Sequence, residues 1–283
     1  MAIQERAVQE VAVDTGTPAG PVWRGAGLGT QLWVLTARQI RSMYGDRRLA
    51  LFSLMQPVIM LLLLSEIFGS MADPADFPQG VRYIDYVVPA LLVTTGIGSA
   101  QGAGVGLVRD MDNGMVARFR VLPARLFLVL VARSLADLVR VFTELVVLVA
   151  VGVVLLDFRP AGGVWGTSAA LLLTLFVIWS LIWGFIALAA WLRSVEVMSS
   201  LAVLVMFPLM FASSAFVPLD ALPEWLRSVA HLNPVTYAVD SARRLALDWD
   251  PGWSVPGALL TGTALMAVGM YVAGRSFKKP PNE

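Results

Sequence analysis

Asp137, Arg140 and Glu144 stand at positions i, i+3 and i+7, and Arg133 extends the series one turn earlier, so all four share one face of a helix. Alternating opposite charges at this spacing can neutralise one another where the dielectric is low. Ionisable groups at membrane depth are costly and commonly functional. The stripe is expected at the cytoplasmic end of its helix, where long side chains reach water, so structural pairing is weighed first and transmission of energy second. A proton relay would want an unpaired carboxylate deeper in the membrane. No other grouping offers chemistry. The single histidine, His231, lies beside Asn233-Pro234 with no serine nucleophile placed near it, which leaves a hydrolase triad unsupported. With no cysteine and one histidine, disulfides, thiolate metal sites and histidine metal clusters are excluded. The phosphate-binding pattern G-x-x-x-x-G-K-[ST] does not occur, so any ATP would be hydrolysed on another chain.

The elements that carry this stripe are read from composition. Hydrophobic residues make up 57% of the 283 and charged residues 14%, against about 25% charged in soluble domains. Mean hydropathy is +0.72. The net charge of +1, with no basic tract, gives no footprint for nucleic acid. Six stretches reach the roughly 20 residues a bilayer requires: 49–68, 87–108, 135–156, 166–191, 197–217 and 254–273. The second, fourth, fifth and sixth carry no charge, and the first carries only Glu66, at its far end. The expectation is an all-α, multi-pass protein of the cell (inner) membrane. Residues 1–30 are expected as a flexible cytoplasmic tail without the apolar core of a signal peptide, 31–275 as the membrane domain, and 276–283 as a second tail.

Orientation follows from arginine and lysine. Arg38, Arg41, Arg47 and Arg48 precede the first span. Arg109, Arg118, Arg120 and Arg125 lie between the second and third, and Arg275, Lys278 and Lys279 follow the sixth. The positive-inside rule therefore places both termini in the cytoplasm. The loop 218–253, assigned outside, resists with Arg227, Arg243 and Arg244.

Three connecting segments have patterns of their own. Residues 31–45 place Leu32, Leu35, Ile40 and Met43 on a helical stripe, with Trp33 and Tyr44 suited to headgroup level. This is either an amphipathic helix in the cytoplasmic interface or an extension of the first span. In 109–125, Asp112, Asn113 and Gly114 give a turn or helix start, and Met115, Phe119 and Leu122 recur at helical spacing until Pro123. Arg118 and Arg120 line the polar side. The segment is either a docking knob for a soluble partner or an ordinary basic loop. In 218–248, two short apolar segments meet at Asn233-Pro234. They re-enter the membrane or lie flat on its outer surface.

Within the spans, Gln56 is the one strongly polar residue deep in the first, beside a helix-bending Pro57. The second holds Thr94, Thr95, Ser99 and the stripe Gly98-x-x-x-Gly102-x-x-x-Gly106, a pattern of close helix packing. The fifth holds Met206, Phe207, Pro208, Met210 and Phe211, a flexible and aromatic surface that suits varied apolar ligands and suits core packing equally.

The order of these parts resembles the ABC-2 type permease family, in particular the daunorubicin-exporter permeases of its actinobacterial drug-resistance branch. The resemblance runs from about Gln31 to Arg275. It is carried by Asn113-Gly114 with Arg118-Phe119-Arg120-Val121-Leu122-Pro123, Phe207-Pro208 with Phe216-Val217, Pro223-Glu224-Trp225-Leu226 and Asn233-Pro234-Val235. Met115 departs from the pattern, since many members have Thr there. The resemblance implies a type V ABC exporter-like fold of two permease subunits, here a homodimer, above two ABC ATP-binding subunits. This chain would bind no cofactor, ATP and Mg being held by the partner. The segment 111–122 would be the ATPase-coupling helix, through Asp112, Asn113, Gly114, Met115, Arg118, Phe119, Arg120 and Leu122. Residues 31–45 would be the connecting helix, and Asp137, Arg140 and Glu144 would transmit motion. Gln56, Thr94, Thr95, Ser99, Met206, Phe207, Met210 and Phe211 would line the pathway for a hydrophobic small molecule, with membrane lipids around it. The expected function is ATP-driven efflux of amphipathic drugs or natural products. The alternatives are export of a lipid or lipid-linked glycan by the same fold, an ion-driven secondary transporter, and a membrane-embedded enzyme.

Overall fold

The computed structural model describes residues 27–45, 47–69, 81–114, 126–211, 213 and 223–276. Their regular structure is α-helix: α1 (Leu28–Gly45), α2 (Arg47–Gly69), α3 (Tyr83–Asp112), α4 (Leu126–Leu155), α5 (Gly163–Leu192), α6 (Val195–Phe211), α7 (Glu224–Leu232), α8 (Pro234–Ala246) and α9 (Ser254–Ser276). Four of these, α3, α4, α5 and α9, are long and apolar enough to cross a membrane. Shorter apolar stretches lie in α2, Leu51–Ile67, and α6, Val195–Met210. The all-α class expected from sequence holds, with four clear spans. α1 begins at Leu28, within the segment 1–30 expected as a tail; residues 1–26 and 277–283 lie outside the described residues.

Apolar content decides which helix sits at the centre. α5 carries no charged residue in 30 positions and is packed by α3, α9 and the short α8. Its Ile178, Ile182, Trp183 and Ile186 are fully buried. α9 approaches it through glycines. A Cβ at Gly262 would stand 3.0 Å from the Phe176 ring, and one at Gly269 would stand 2.7 Å from the Trp183 carbonyl carbon. With no side chain between them, the two backbones touch, which maximises dispersion contacts where water offers no hydrophobic drive.

Polar contacts tie the helix ends into two layers. At one end, Arg82 Nε pairs with Asp85 at 2.8 Å and Arg82 Nη2 donates to the Asp157 carbonyl at 2.8 Å. The Arg159 amide donates to Asp85 Oδ1 at 2.9 Å, and the Gly162 amide to the Ala246 carbonyl at 2.9 Å. This layer joins the start of α3, the α4–α5 turn and the end of α8. At the other end, Arg193 takes a left-handed backbone (φ 52°) and its Nη2 donates to the Ser276 carbonyl at 2.8 Å, joining the α5–α6 turn to the end of α9.

The fifth apolar stretch was expected over 197–217; α6 ends at Phe211, Ser213 is a bend, and residues 214–217 lie outside the described residues. At 1.5 Å per residue α6 is about 26 Å long, while α5 beside it is about 45 Å. α8 is not flat on a surface: it packs against α3, α5 and α9, with Val235, Ala238, Val239 and Ala242 fully buried. Asn233 makes this junction possible. Its Oδ1 accepts from the Val235 amide at 2.9 Å, capping α8. Its Nδ2 donates to the Leu209 carbonyl at 2.9 Å, one of the last-turn acceptors that α6 cannot satisfy itself. Pro234 at the first helical position fixes the extended backbone of Asn233. Asn233→Ala is expected to lose a cap worth about 1 kcal/mol and strand an acceptor at about 1–3 kcal/mol more. Asn233→Asp should retain most of the cap energy, and thermal unfolding of the two variants in detergent separates the contributions.

α1 takes the amphipathic form expected of 31–45 and ends at Gly45, just before α2. It packs along α4 and contacts α2, with Tyr44 Oη donating to Thr143 Oγ1 at 3.1 Å. Leu28, Trp33 and Val34 are exposed.

Candidate functional site

The charged stripe of α4 is seated against α3. Arg133 pairs with Asp110 on α3, and its Nε lies 3.7 Å from Asp137 Oδ2. Arg140 continues the series, 3.9 Å from Asp137 Oδ1 and 3.9 Å from Glu144 Oε1. Glu144 accepts a hydrogen bond from Ser99 Oγ, and Arg140 Nη2 donates to the Ser99 carbonyl at 2.8 Å. The result is one ladder, Asp110–Arg133–Asp137–Arg140–Glu144–Ser99, between two 30-residue helices.

Its position corrects the sequence reading. The stripe is not confined to a helix end. Glu144 lies 11 residues from the end of α4 at Leu155, and the α3 side of the ladder runs from Asp110 back to Ser99, about 16 Å along the axis. Charges survive there because they are shielded and paired: the side chains of Arg133 and Asp137 are 7% and 2% exposed.

The glycine stripe of α3 is what admits them. A Cβ at Gly102 would meet Arg140 Nη2 at 3.4 Å, and one at Gly106 would collide with Arg133 Nη2. The sequence reading took these glycines for general helix packing. They are the seats of two guanidinium groups. Asp110 was missed, although an arginine one turn before the stripe needed a carboxylate from elsewhere.

The remaining candidates do not converge on one site. Thr94 is buried and donates back to the Leu91 carbonyl at 3.3 Å, whereas Thr95 is half-buried and Gln56 is exposed on α2. Met206 and Met210 pack partly against the core. Phe207 lines an open cleft of about 700 Å³ between α6 and α7, with Val203, Leu204, Trp225 and Val229. Phe211 ends α6, and its side chain is outside the described set. Asp112 is the last residue of α3, and Asn113 and Gly114 (φ 72°) form the turn after it, so this tripeptide closes a helix. Met115, Arg118, Phe119, Arg120 and Leu122 lie outside the described residues, as do Phe216 and Val217.

Arg243, one of the arginines that resisted the topology, is taken up internally. Its guanidinium lies 3.7 Å over the Tyr86 ring, with Nε donating to the Tyr86 carbonyl at 3.3 Å.

The family described as ABC-2 type transporter matches residues 30–247. The daunorubicin resistance ABC transporter permease protein DrrB1 of Streptomyces coeruleorubidus is 29% identical over 215 residues, 76% of this chain and 74% of that protein. The probable doxorubicin resistance ABC transporter permease protein DrrC of Mycobacterium tuberculosis (strain ATCC 25618 / H37Rv) is 26% identical over 203 residues, 68% and 67% of the two chains. The probable multidrug ABC transporter permease YbhR of Escherichia coli (strain K12) is 24% identical over 205 residues, 70% of this chain and 54% of that one.

Proposed function

We propose, from the premise that this chain belongs to the ABC-2 type transporter family, that it is the membrane subunit of an ATP-driven exporter of amphipathic drugs or natural products. The observation that carries this reading is the buried ladder. It runs from Asp110, near the end of α3, to Glu144 and Ser99 deep between the long helices. A displacement at the 111–122 end is thereby communicated through paired charges rather than through soft apolar contacts. On this reading 111–122 docks on a separate ATP-binding subunit, which holds ATP and Mg. On the same reading the chain crosses the membrane six times with both termini in the cytoplasm, and two copies of the chain enclose the path. Substrate reaches the path through the apolar cleft beside Phe207, and ATP binding switches access between the two sides. Relatives named for daunorubicin and doxorubicin resistance favour an amphipathic drug. The cleft's almost wholly apolar lining favours a second substrate class, a lipid or lipid-linked glycan.

The test is co-expression with the presumed ATPase, comparing the wild type with Phe119→Asp. The wild type is expected to retain the partner and turn over ATP. A buried unpaired charge costs at least ~1.4 kcal/mol, so the variant should lose partner retention by about tenfold or more. If no ATPase associates with the wild type, the exporter reading falls to an ion-driven transporter or a membrane enzyme. If the partner binds Phe119→Asp unimpaired, the coupling helix lies elsewhere.

A further inference from the structure

The ladder has one more seat than it has arginines. Gly98, Gly102 and Gly106 follow one another at four-residue intervals on α3. Arg133 fills the seat at Gly106 and Arg140 the seat at Gly102. A Cβ at Gly98 would meet nothing within 4 Å. The hydroxyl that Glu144 uses is repeated with the same interval, since Thr95 stands four residues before Ser99. Along α4 itself, Arg133 Nε faces Asp137 Oδ2 at 3.7 Å and Arg140 Nε faces Glu144 Oε1 at 3.9 Å, ion pairs that do not depend on the register of α3.

We infer that α3 and α4 have a second register, displaced by four residues of α3. In it Arg140 occupies the Gly98 seat, Arg133 the Gly102 seat, and Glu144 accepts from Thr95. Antiparallel helices move past one another in whole turns because side chains interlock at the intermediate positions, and one-turn steps are an established form of switching. Here the step exchanges each polar contact on the Ser99 side for an equivalent one. Within the ladder, the contact without a replacement is Arg133–Asp110; at the opposite end of α3 the Arg82–Asp157 and Arg159–Asp85 contacts must open as well. Asp110 lies next to the segment proposed to dock on the ATPase, so the ladder bond that must break lies where that subunit would act. The inference rests on the exporter reading for its driving force, and on the three glycines and two hydroxyls for its geometry.

The chain has no cysteine, so two introduced cysteines can carry the only spin labels. Arg109 lies ten residues past Ser99, and Val154 ten residues past Glu144 at the opposite end, and both are exposed. The labels at Arg109→Cys and Val154→Cys therefore sit about 30 Å apart along the axes, and the step lengthens this by about 6 Å. The measurement is made on the complex with its ATPase, with labelled chain diluted in unlabelled chain, with and without nucleotide. A nucleotide-dependent second distance, longer by about 6 Å, is expected. Gly98→Leu should abolish that distance and cut ATP-driven efflux by about tenfold or more, while leaving partner retention and melting temperature unchanged, because its seat is empty in the present register. An unchanged distance in an actively exporting wild type overturns the second register and leaves the exporter reading intact. A Gly98→Leu protein that exports normally, or one that no longer folds, overturns it as well, since the seat would then be unused or already filled. A wild type without ATP-driven efflux counts against the exporter reading instead.

Discussion

Gly269→Leu is expected to yield no stable, monodisperse protein in detergent. A Cβ there would lie 2.7 Å from the Trp183 carbonyl carbon, 2.8 Å from its oxygen and 3.1 Å from the Gly184 nitrogen. All three are backbone atoms of a buried helix, so no side chain can rotate away and α9 must separate from α5. Overpacking a core costs about 1–3 kcal/mol when side chains can adjust. Here they cannot, and the cost falls in the exceptional range above about 4 kcal/mol. Gly184→Ala on the facing helix is the control. Its Cβ would meet Leu265 at 3.6 Å, an ordinary contact, so it should melt close to the wild type. Size-exclusion profiles and thermal unfolding of the two proteins test the contrast. A monodisperse Gly269→Leu protein with wild-type melting would show that the α5–α9 crossing is looser than described.

Asp137→Ala should be the most damaging change in the ladder. Asp137 is the carboxylate between Arg133 and Arg140, and its side chain is 2% exposed. Removing it leaves Arg133 to Asp110 and Arg140 to Glu144, with the two cations facing each other across a dry gap. Breaking a buried pair by deleting one partner costs about 3–5 kcal/mol, because the remaining charge has no water to return to. Replacing the pair together, Arg133→Met with Asp137→Leu, should recover more than half of that loss, since apolar groups of similar size bring no desolvation cost and the Asp110 carboxylate left behind is partly exposed and can turn to water. Thermal unfolding reads the stability, and ATP-driven efflux reads the function. If the ladder transmits motion, the double variant is stable and inactive. If the ladder is structural alone, stability and efflux recover together. An Asp137→Ala protein as stable as the wild type would mean that water reaches the ladder.

Helix type and approximate extent were legible in the sequence because apolar runs near 20 residues have few other destinations. The stretch 254–273, for example, falls inside Ser254–Ser276. Helix ends were less legible. α4 begins at Leu126, nine residues before the expected start, because the charged turn around Arg133 finds its partners on α3. Hydropathy alone scores such a turn as an interruption. The stripe Arg133, Asp137, Arg140, Glu144 was visible from spacing, but its depth was not, since depth depends on which helix lies opposite. The glycines were visible as a motif, yet their occupants were not. Gly269, the tightest approach of α9 to α5, belongs to no sequence pattern that singles it out. The Asn233-Pro234 break was evident, but the Leu209 carbonyl it serves, 24 residues earlier, was not.

The shortness of α7 and α8 bears on the order in which the chain can assemble. α7 and α8, of 9 and 13 residues, are too short to be retained as spans when they emerge from the ribosome. α5 and α6 are already made at that point, but α9, which covers part of α8 and admits the Tyr237 ring at Gly257, is not. α8 therefore waits with an incomplete apolar seat until α9 arrives. Completing that seat is then a docking event in which α9 closes over a segment made before it. A chain cut before Ser254 is expected to leave that face of α8 uncovered.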